Sequence, residues 1–278
     1  MQFGKNQLKR CRYGWMLHTG PYIGKCFELY GEYSEAEVSI IRAFVRQGDT
    51  ALDIGANIGD LTLPMSLCAG EPGRVYAVES HSEVFNILCA NLALNQIVNT
   101  KPINAFIADK DDVDTSGPWG KFGYVSMNFQ PPIIPIDSLN LDACAFIKID
   151  VDGKELEVLK SGTATIARTR PVIYLENDVR DKSSALFEHL FQSDYVLYWH
   201  RAPIFQADNF FGNPVNHWPQ NIVSLMGLCL PKEKYADLTV PLKKVSNVDE
   251  WWDATDPSAS GMAHHPVSAI DHGPDVSG

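Results

Sequence analysis

From about position 49 onward, short apolar runs alternate with stretches of helical period. Ala51-Leu52 and Ile54 form a run bounded by Thr50 and Gly55, the pattern of a parallel strand buried on both faces. Strands are predicted at about 50–54, 74–79, 101–108, 145–150 and 171–176, with helices at about 60–69, 82–95, 154–168 and 182–193 between or after them. Leu61, Leu63, Met65 and Leu67 lead into the first of these helices. Y-V-L-Y-W at 195–199 and I-V-S-L-M-G-L-C-L at 222–230 have no helical stretch between them and read as an antiparallel pair. Five βα units closed by such a pair describe an α/β three-layer sandwich around a mostly parallel sheet.

The flanks read differently. Residues 1–48 are expected to form an N-terminal helical cap segment, because Val38, Ile41 and Val45 recur at helical spacing before Gly48. Residues 49–245 form the main domain. A polar loop at about 110–135 is long enough to be functional. Beyond Ser246 the composition turns to Ser, Gly, Pro, Asp and His, and 246–278 is expected to be a flexible tail.

Composition narrows the class. The chain has 278 residues, 45% of them hydrophobic, which suits one large soluble domain with a substantial core. No apolar stretch is long enough to span a membrane, no signal peptide is visible, and a cytoplasmic location is expected. The net charge of −11 and the lack of a Lys/Arg cluster disfavour nucleic acid as a partner. Six cysteines lie singly with no CxxC pair, which predicts free thiols and no structural zinc.

The first βαβ unit carries the candidate chemistry. T-A-L-D-I-G-A-N-I-G-D at 50–60 has glycines for a tight turn, but Asn57 and Asp60 stand where a dinucleotide fingerprint needs glycine. Asp60 also sits at a helix N-terminus, where it would repel a pyrophosphate. S-adenosylmethionine has no phosphate and carries an ammonium and a sulfonium, so an acidic loop suits it. Its methionine end is expected at Asp53, Gly55 and Asn57, and its ribose at Glu79, which ends the second strand. Its adenine is expected near Ser80, His81, Asn104 and Ala105.

D-I-G-A-N-I-G, Y-A-V-E-S, I-K-I-D-V-D-G-K-E-L-E-V-L-K-S-G at 147–162 and R-P-V-I-Y-L-E at 170–176 together resemble the FkbM-type S-adenosylmethionine-dependent methyltransferases. The similarity covers about 28–230 and starts at Y-G-E-Y-S-E-A-E, 30–37. One departure is Asp152, where the family usually has glutamate. The resemblance implies a Rossmann-like class I methyltransferase with a seven-stranded sheet. It also implies O-methylation of a hydroxyl on a sugar or secondary metabolite, with S-adenosylhomocysteine as the second product. The acceptor itself and the oligomeric state are not implied.

Candidate catalytic residues are Asp150, Glu176 and His217, with His200 as a second histidine to consider as base. Asp150 ends the fourth strand, where ligands bind in open parallel sheets, and is also expected to face the cofactor. Lys148 shares its face and is either a salt-bridged structural lysine or catalytic. Asp152 and Glu155 are expected to stabilise the start of the following helix. Asp150, Glu176 and Asn177 could hold a magnesium ion that binds a vicinal diol; the metal-free alternative is favoured, because the ligand count is low for a hard cation. The segment 206–221, with Phe210, Phe211, His217 and Trp218 among asparagines, is either a carbohydrate-facing loop or a capping hairpin. Rival readings are a non-catalytic cofactor-binding module, a methyltransferase for an N- or peptide acceptor, and an NAD-type enzyme.

Overall fold

A computed structural model describes residues 2–109, 131–218, 222–235 and 241–252. The chain opens with strands β1 (Gln2–Phe3), β2 (Asn6–Cys11) and β3 (Gly14–His18), then helices α1 (Ile23–Leu29) and α2 (Glu35–Phe44). The alternating part follows as β4 (Thr50–Ile54), α3 (Thr62–Ala69), β5 (Arg74–Glu79), α4 (Ser82–Leu94) and β6 (Thr100–Asn104). The two-residue strands β7 (Phe106–Ile107) and β8 (Ile133–Ile134) form a separate parallel pair. Then come β9 (Phe146–Ile149), α5 (Glu155–Lys160), α6 (Thr163–Thr169), β10 (Val172–Glu176) and α7 (Arg180–Gln192). The chain continues through β11 (Tyr195–Pro203), β12 (Val223–Pro231), α8 (Lys232–Tyr235) and β13 (Lys243–Lys244).

The central sheet runs β13-β11-β12-β10-β9-β4-β5-β6. It contains the seven strands expected from the sequence plus the two-residue edge strand β13. Strands β10, β9, β4, β5 and β6 are mutually parallel, and β12 lies antiparallel between β10 and β11. Helices α2, α3 and α4 pack on one face and α5 to α7 on the other, giving the three-layer sandwich. Strand alternation divides the core: Leu52, Ile54, Ile147 and Ile149 face α5–α7, while Ala51, Phe146 and Tyr174 face α2 and α3. Asp53 and Lys148, in register with each other, must therefore point toward the α2–α3 face. Chain order reverses between β4 and β9, and the carboxyl ends of these two strands frame the crevice where such sheets bind ligands.

Four local expectations are corrected. The N-terminal section begins with an antiparallel sheet before its helices, because β3 has a partner that lies far along the chain. Asn91 of α4 and Asn95 just after it use their side-chain amides as a strand would. Asn91 accepts from Leu17 N–H at 2.7 Å and donates to Leu17 O at 3.0 Å; Asn95 accepts from Trp15 N–H and donates to Trp15 O, both at 2.7 Å. Leu67 is exposed, since four leucine and methionine positions at spacing two cannot share one helix face. The helix expected over 154–168 breaks into α5 and α6 at Ser161-Gly162, where Ser161 Oγ accepts from Ile136 N–H at 3.2 Å and a side chain on Gly162 would crowd Ile136. The strand expected to 108 stops at Asn104, after which β7 pairs with β8 instead.

The expected tail boundary at 246 falls inside packed structure. Trp251 and Trp252 meet the fully buried Trp199 at centroid distances of 5.7 and 6.3 Å, and Arg201 covers Trp252 at 5.3 Å. The rest of the expected tail, 253–278, and most of the 110–135 loop lie outside the described residues. Trp199 also meets Phe187 of α7 edge-on at 5.2 Å, so it joins the sheet, α7 and the 246–252 segment. Trp199→Ala is expected to cost about 3–5 kcal/mol, the usual range for truncating a buried aromatic, read as a lowered urea midpoint.

Candidate active site

Beyond the carboxyl ends of β4, β5 and β9 opens a cavity of about 790 Å³. Its floor is the turn after β4. Gly55 has φ +80°, and a Cβ there would strike the carbonyl of Asp150, so only glycine lets β4 and β9 end so close together. Gly55 and Ala56 donate their N–H groups to Val78 O at 3.0 and 2.9 Å, which ties the turn to β5. Glu79 is buried, its Oε2 accepting from Asn57 N–H at 2.9 Å and its Oε1 from His81 N–H at 2.7 Å. The carboxyl thus joins the β4 turn to the start of α4 while still lining the cavity.

Lys148 is the cation at the centre of the site. Its Nζ donates to Gly55 O at 3.0 Å and lies 3.4 Å from Asp150 Oδ2 and 3.6 Å from Asp53 Oδ1. Burial alone would lower its pKa; Asp150, Asp53, Asp60 and Glu37 outweigh burial and hold it well above the ordinary lysine range. It forms the salt bridges that one of the two sequence alternatives expected, and it also lines the cavity. Asp53 is fully buried and accepts from Thr62 Oγ1 at 2.6 Å.

Around this one ammonium stand more carboxyls than it can neutralise. Burial pushes Asp60 up to about 8. Burial, aided by Asp150, pushes Glu37 up to about 7. Burial and then the charges of Asp150 and Asp178 push Glu176 up to about 10. Asp152 and Asp178 are raised as well, by burial first and Asp150 among the further causes. Asp150 itself keeps 40% of its side chain exposed, at the cavity wall.

The structure brings Gly55, Asn57, Glu79, Ser80, His81, Ala105, Asp150 and Glu176 to one cavity. Asp53 and Asn104 stand behind the wall. Asn104 Nδ2 donates to Glu79 O and Ser80 O at 2.8 and 3.1 Å, and its Oδ1 accepts from Ser82 Oγ at 2.9 Å, so it shapes the β5 end from outside. Asn177 is buried, its Nδ2 donating to Ser183 Oγ at 2.8 Å, and it does not line the cavity that Asp150 and Glu176 share. No three His, Cys, Asp or Glu side chains converge on a metal position among the described residues.

Neither histidine base is in place. His200 is buried against Tyr174 Oη at 2.7 Å, and burial lowers it to about 4. His217 is exposed on the loop after β11, its N–H donating to Tyr30 Oη at 2.9 Å, and it does not line the cavity. That loop caps α1: Tyr30 Oη donates to Val215 O at 3.3 Å, Asn213 donates to Leu29 O at 3.2 Å, and Asn209 is buried with both amide hydrogens used inside the loop. Of the two sequence alternatives, residues 206–218 adopt the capping one.

Sequence reasoning missed Tyr22, Tyr33 and Ser224 as cavity residues. Tyr22 is 40% exposed at the mouth, 5.1 Å from Trp218 and 6.4 Å from Tyr33 between ring centroids. Tyr33 lies within the Y-G-E-Y-S-E segment, whose resemblance was the one available signal.

Comparison with known proteins gives a family match, described as the methyltransferase FkbM domain, over residues 53–196. The chain is 34% identical over 73 residues to a tRNA(Phe) (4-demethylwyosine(37)-C(7)) aminocarboxypropyltransferase of Methanocaldococcus jannaschii, covering 26% of this chain and 28% of that protein. It is 36% identical over 61 residues to a probable cobalt-precorrin-6B C(15)-methyltransferase (decarboxylating) of Saccharolobus solfataricus, covering 20% of this chain and 31% of that protein. The chain thus spans under a third of the length of these curated relatives. A solved precorrin-6y C5,15-methyltransferase of Geobacter metallireducens is similar at 16% identity and a TM-score of 0.44, over 69% of this chain and 86% of that one.

The raised carboxyls predict an unusual pH dependence of stability. Glu37, Asp60 and Glu176 keep protons in the fold that the unfolded chain loses above its ordinary range near pH 4. Their contribution to stability is therefore largest at low pH and is lost as pH rises toward 7, 8 and 10 respectively. Urea unfolding without ligand should show stability falling between pH 5.5 and 8, by up to about 1.4 kcal/mol per pH unit for each carboxyl still protonated. Glu176→Gln should flatten this slope; an unchanged slope would remove Glu176 from the account.

Proposed function

The chain belongs to the methyltransferase FkbM domain family, and from that membership we propose that it is an S-adenosylmethionine-dependent O-methyltransferase. The acceptor is a hydroxyl of a sugar or of a glycosylated or secondary metabolite. The observation that carries the reading is the excess of carboxyls over the two lysines, Lys148 and Lys154, in a cavity at the topological switch point. Such a cavity fits a ligand that brings positive charge and no phosphate. Gly55 and Asn57 offer a close backbone approach for its amino-acid arm, and Glu79 still has lone pairs for two ribose hydroxyls. Ser80, His81 and the apolar Ala105-Phe106-Ile107 edge are placed for the adenine.

Bound S-adenosylmethionine supplies an electrophilic methyl group. The residues must then orient the acceptor oxygen and remove its proton. Asp150 is the exposed, Lys148-paired carboxylate at the wall, and it takes that proton. Glu176 carries its own proton at neutral pH, so it serves as a donor to Asp150 or to a neighbouring acceptor hydroxyl and not as the base. Tyr22 and Tyr33 give aromatic surface for the C–H face of a sugar at the mouth. This chemistry needs no metal.

The relative from Methanocaldococcus jannaschii is named for action on tRNA(Phe). The net charge of −11 and the acidic cavity wall favour a neutral or cationic small acceptor over nucleic acid for this chain. No helix of the described residues is long and apolar enough to cross a membrane, and the reading places the enzyme in the cytoplasm. A screen of glycans and glycosylated metabolites with radiolabelled methyl donor, products located by mass spectrometry, tests the acceptor class. Labelling of tRNA with none of the sugars labelled would overturn it.

Two substitutions test the roles. Glu79→Gln should weaken S-adenosylhomocysteine binding by roughly tenfold in calorimetry, since one charged acceptor to the ribose is lost at about 1.5–3 kcal/mol. Equal affinity would remove Glu79 from the ribose site. Asp150→Asn should leave S-adenosylhomocysteine affinity nearly intact and lower kcat by about 10²–10⁴ on any acceptor the wild type uses. Near-normal turnover would exclude Asp150 as base.

A further inference from the structure

Two oxygen acceptors expected to meet the cofactor's methionine end are already engaged inside the protein. Gly55 O accepts from Lys148 Nζ at 3.0 Å, and Asp53 is buried between Thr62 Oγ1 at 2.6 Å and Lys148 at 3.6 Å. Asp53 Oδ1 accepts no hydrogen bond, but Asp53 is fully buried behind the cavity wall, so an α-ammonium inside the cavity meets a different carboxylate. Asp60 is available. It lines the cavity at the start of α3, is only 7% exposed, and its Oδ1 is buried without a hydrogen-bond partner.

The groups around Asp60 do not satisfy that oxygen. From β4 it faces Asp53; from β9 and its end, Lys148 and Asp150; from the cap, Cys26 of α1 and Tyr33 ahead of α2. Lys148 is the one cation in this set, and its Nζ is already divided among Gly55 O, Asp53 and Asp150. A carboxyl oxygen buried with no donor is unfavourable unless a ligand supplies one. A sulfonium has no N–H to give; an ammonium has three. Of the other cavity carboxyls, Glu79 stands at the ribose end across β5, Asp150 is paired with Lys148, and Asp152, Glu157, Glu176 and Asp178 belong to α5 and the ends of β9 and β10, away from the β4 turn.

We propose that Asp60 is the seat of the α-ammonium of the cofactor's amino-acid arm. This rests on the reading of the cavity as an S-adenosylmethionine site. Free of ligand, Asp60 is held by burial up to about 8 and keeps a proton at neutral pH. Docking an ammonium requires the carboxylate, so binding of the amino-acid arm expels one proton and strengthens as pH rises toward 8.

The test compares two nucleosides by calorimetry at pH 7. S-adenosylhomocysteine carries the amino-acid arm; 5′-methylthioadenosine has the same adenosine without it. Asp60→Asn should weaken S-adenosylhomocysteine about tenfold or more and leave 5′-methylthioadenosine within about twofold. The second ligand also shows that the variant pocket is folded. Repeating the titrations in buffers of different ionisation enthalpy should reveal proton release with S-adenosylhomocysteine in the wild type and none in Asp60→Asn. Equal weakening of both nucleosides, or unchanged S-adenosylhomocysteine affinity, overturns the assignment of Asp60 alone. Failure of the wild type to bind either nucleoside overturns the cofactor reading, and this assignment with it.

Discussion

Everything at the carboxyl edge of the sheet depends on where the Lys148 ammonium is held. Three separate pieces of chain end at it: the β4 strand through Asp53, the turn through Gly55 O, and the β9 end through Asp150. A lysine in a strand buried on both faces would be costly alone. It is tolerated because the parallel register sets Asp53 beside it and because Gly55, with no Cβ, lets the turn close onto β9. The clamp fixes the spacing between β4 and β9 at the point where chain order reverses, and that spacing defines the cavity.

The same clamp leaves the site short of positive charge. One ammonium cannot neutralise Asp53, Asp60, Asp150, Glu37 and Glu176 together, and the fold responds by keeping protons on three of them. Protonation makes a buried acid cheap to hold in the empty site and ready to ionise when a cation arrives. Function and stability therefore pull in opposite directions with pH. The condition that best favours the ligand-free fold is the one in which the carboxyls are least able to grip a cationic ligand.

Much of this was legible in the sequence. The strands β4 and β5 follow from their apolar runs and glycine boundaries, and Glu79 was placed at a strand end by spacing alone. The parallel order and the β11–β12 pair followed from helix–strand alternation. The failures share one cause. Strand β3 is held by Asn91 and Asn95, some 75–80 positions along the chain, and the 246–252 segment by Trp199; no local period encodes either contact. Asn177 and His217 failed likewise: position next to a strand end or among aromatics does not say which way a side chain turns. Asn177 found Ser183, and His217 followed its loop onto Tyr30.

The two carboxyls at the acceptor side divide their duties by environment alone. Asp150 and Glu176 end neighbouring parallel strands, so they are forced close together, and like charges at that range cannot both ionise. Lys148 lies beside Asp150 at 3.4 Å, while burial and the neighbouring charges of Asp150 and Asp178 keep a proton on Glu176. One side chain is thereby left as an acceptor and its neighbour as a donor, facing the same space. A ligand presenting two adjacent hydroxyls, one giving and one receiving a hydrogen bond, satisfies both carboxyls at once. A lone hydroxyl leaves one of them unmatched.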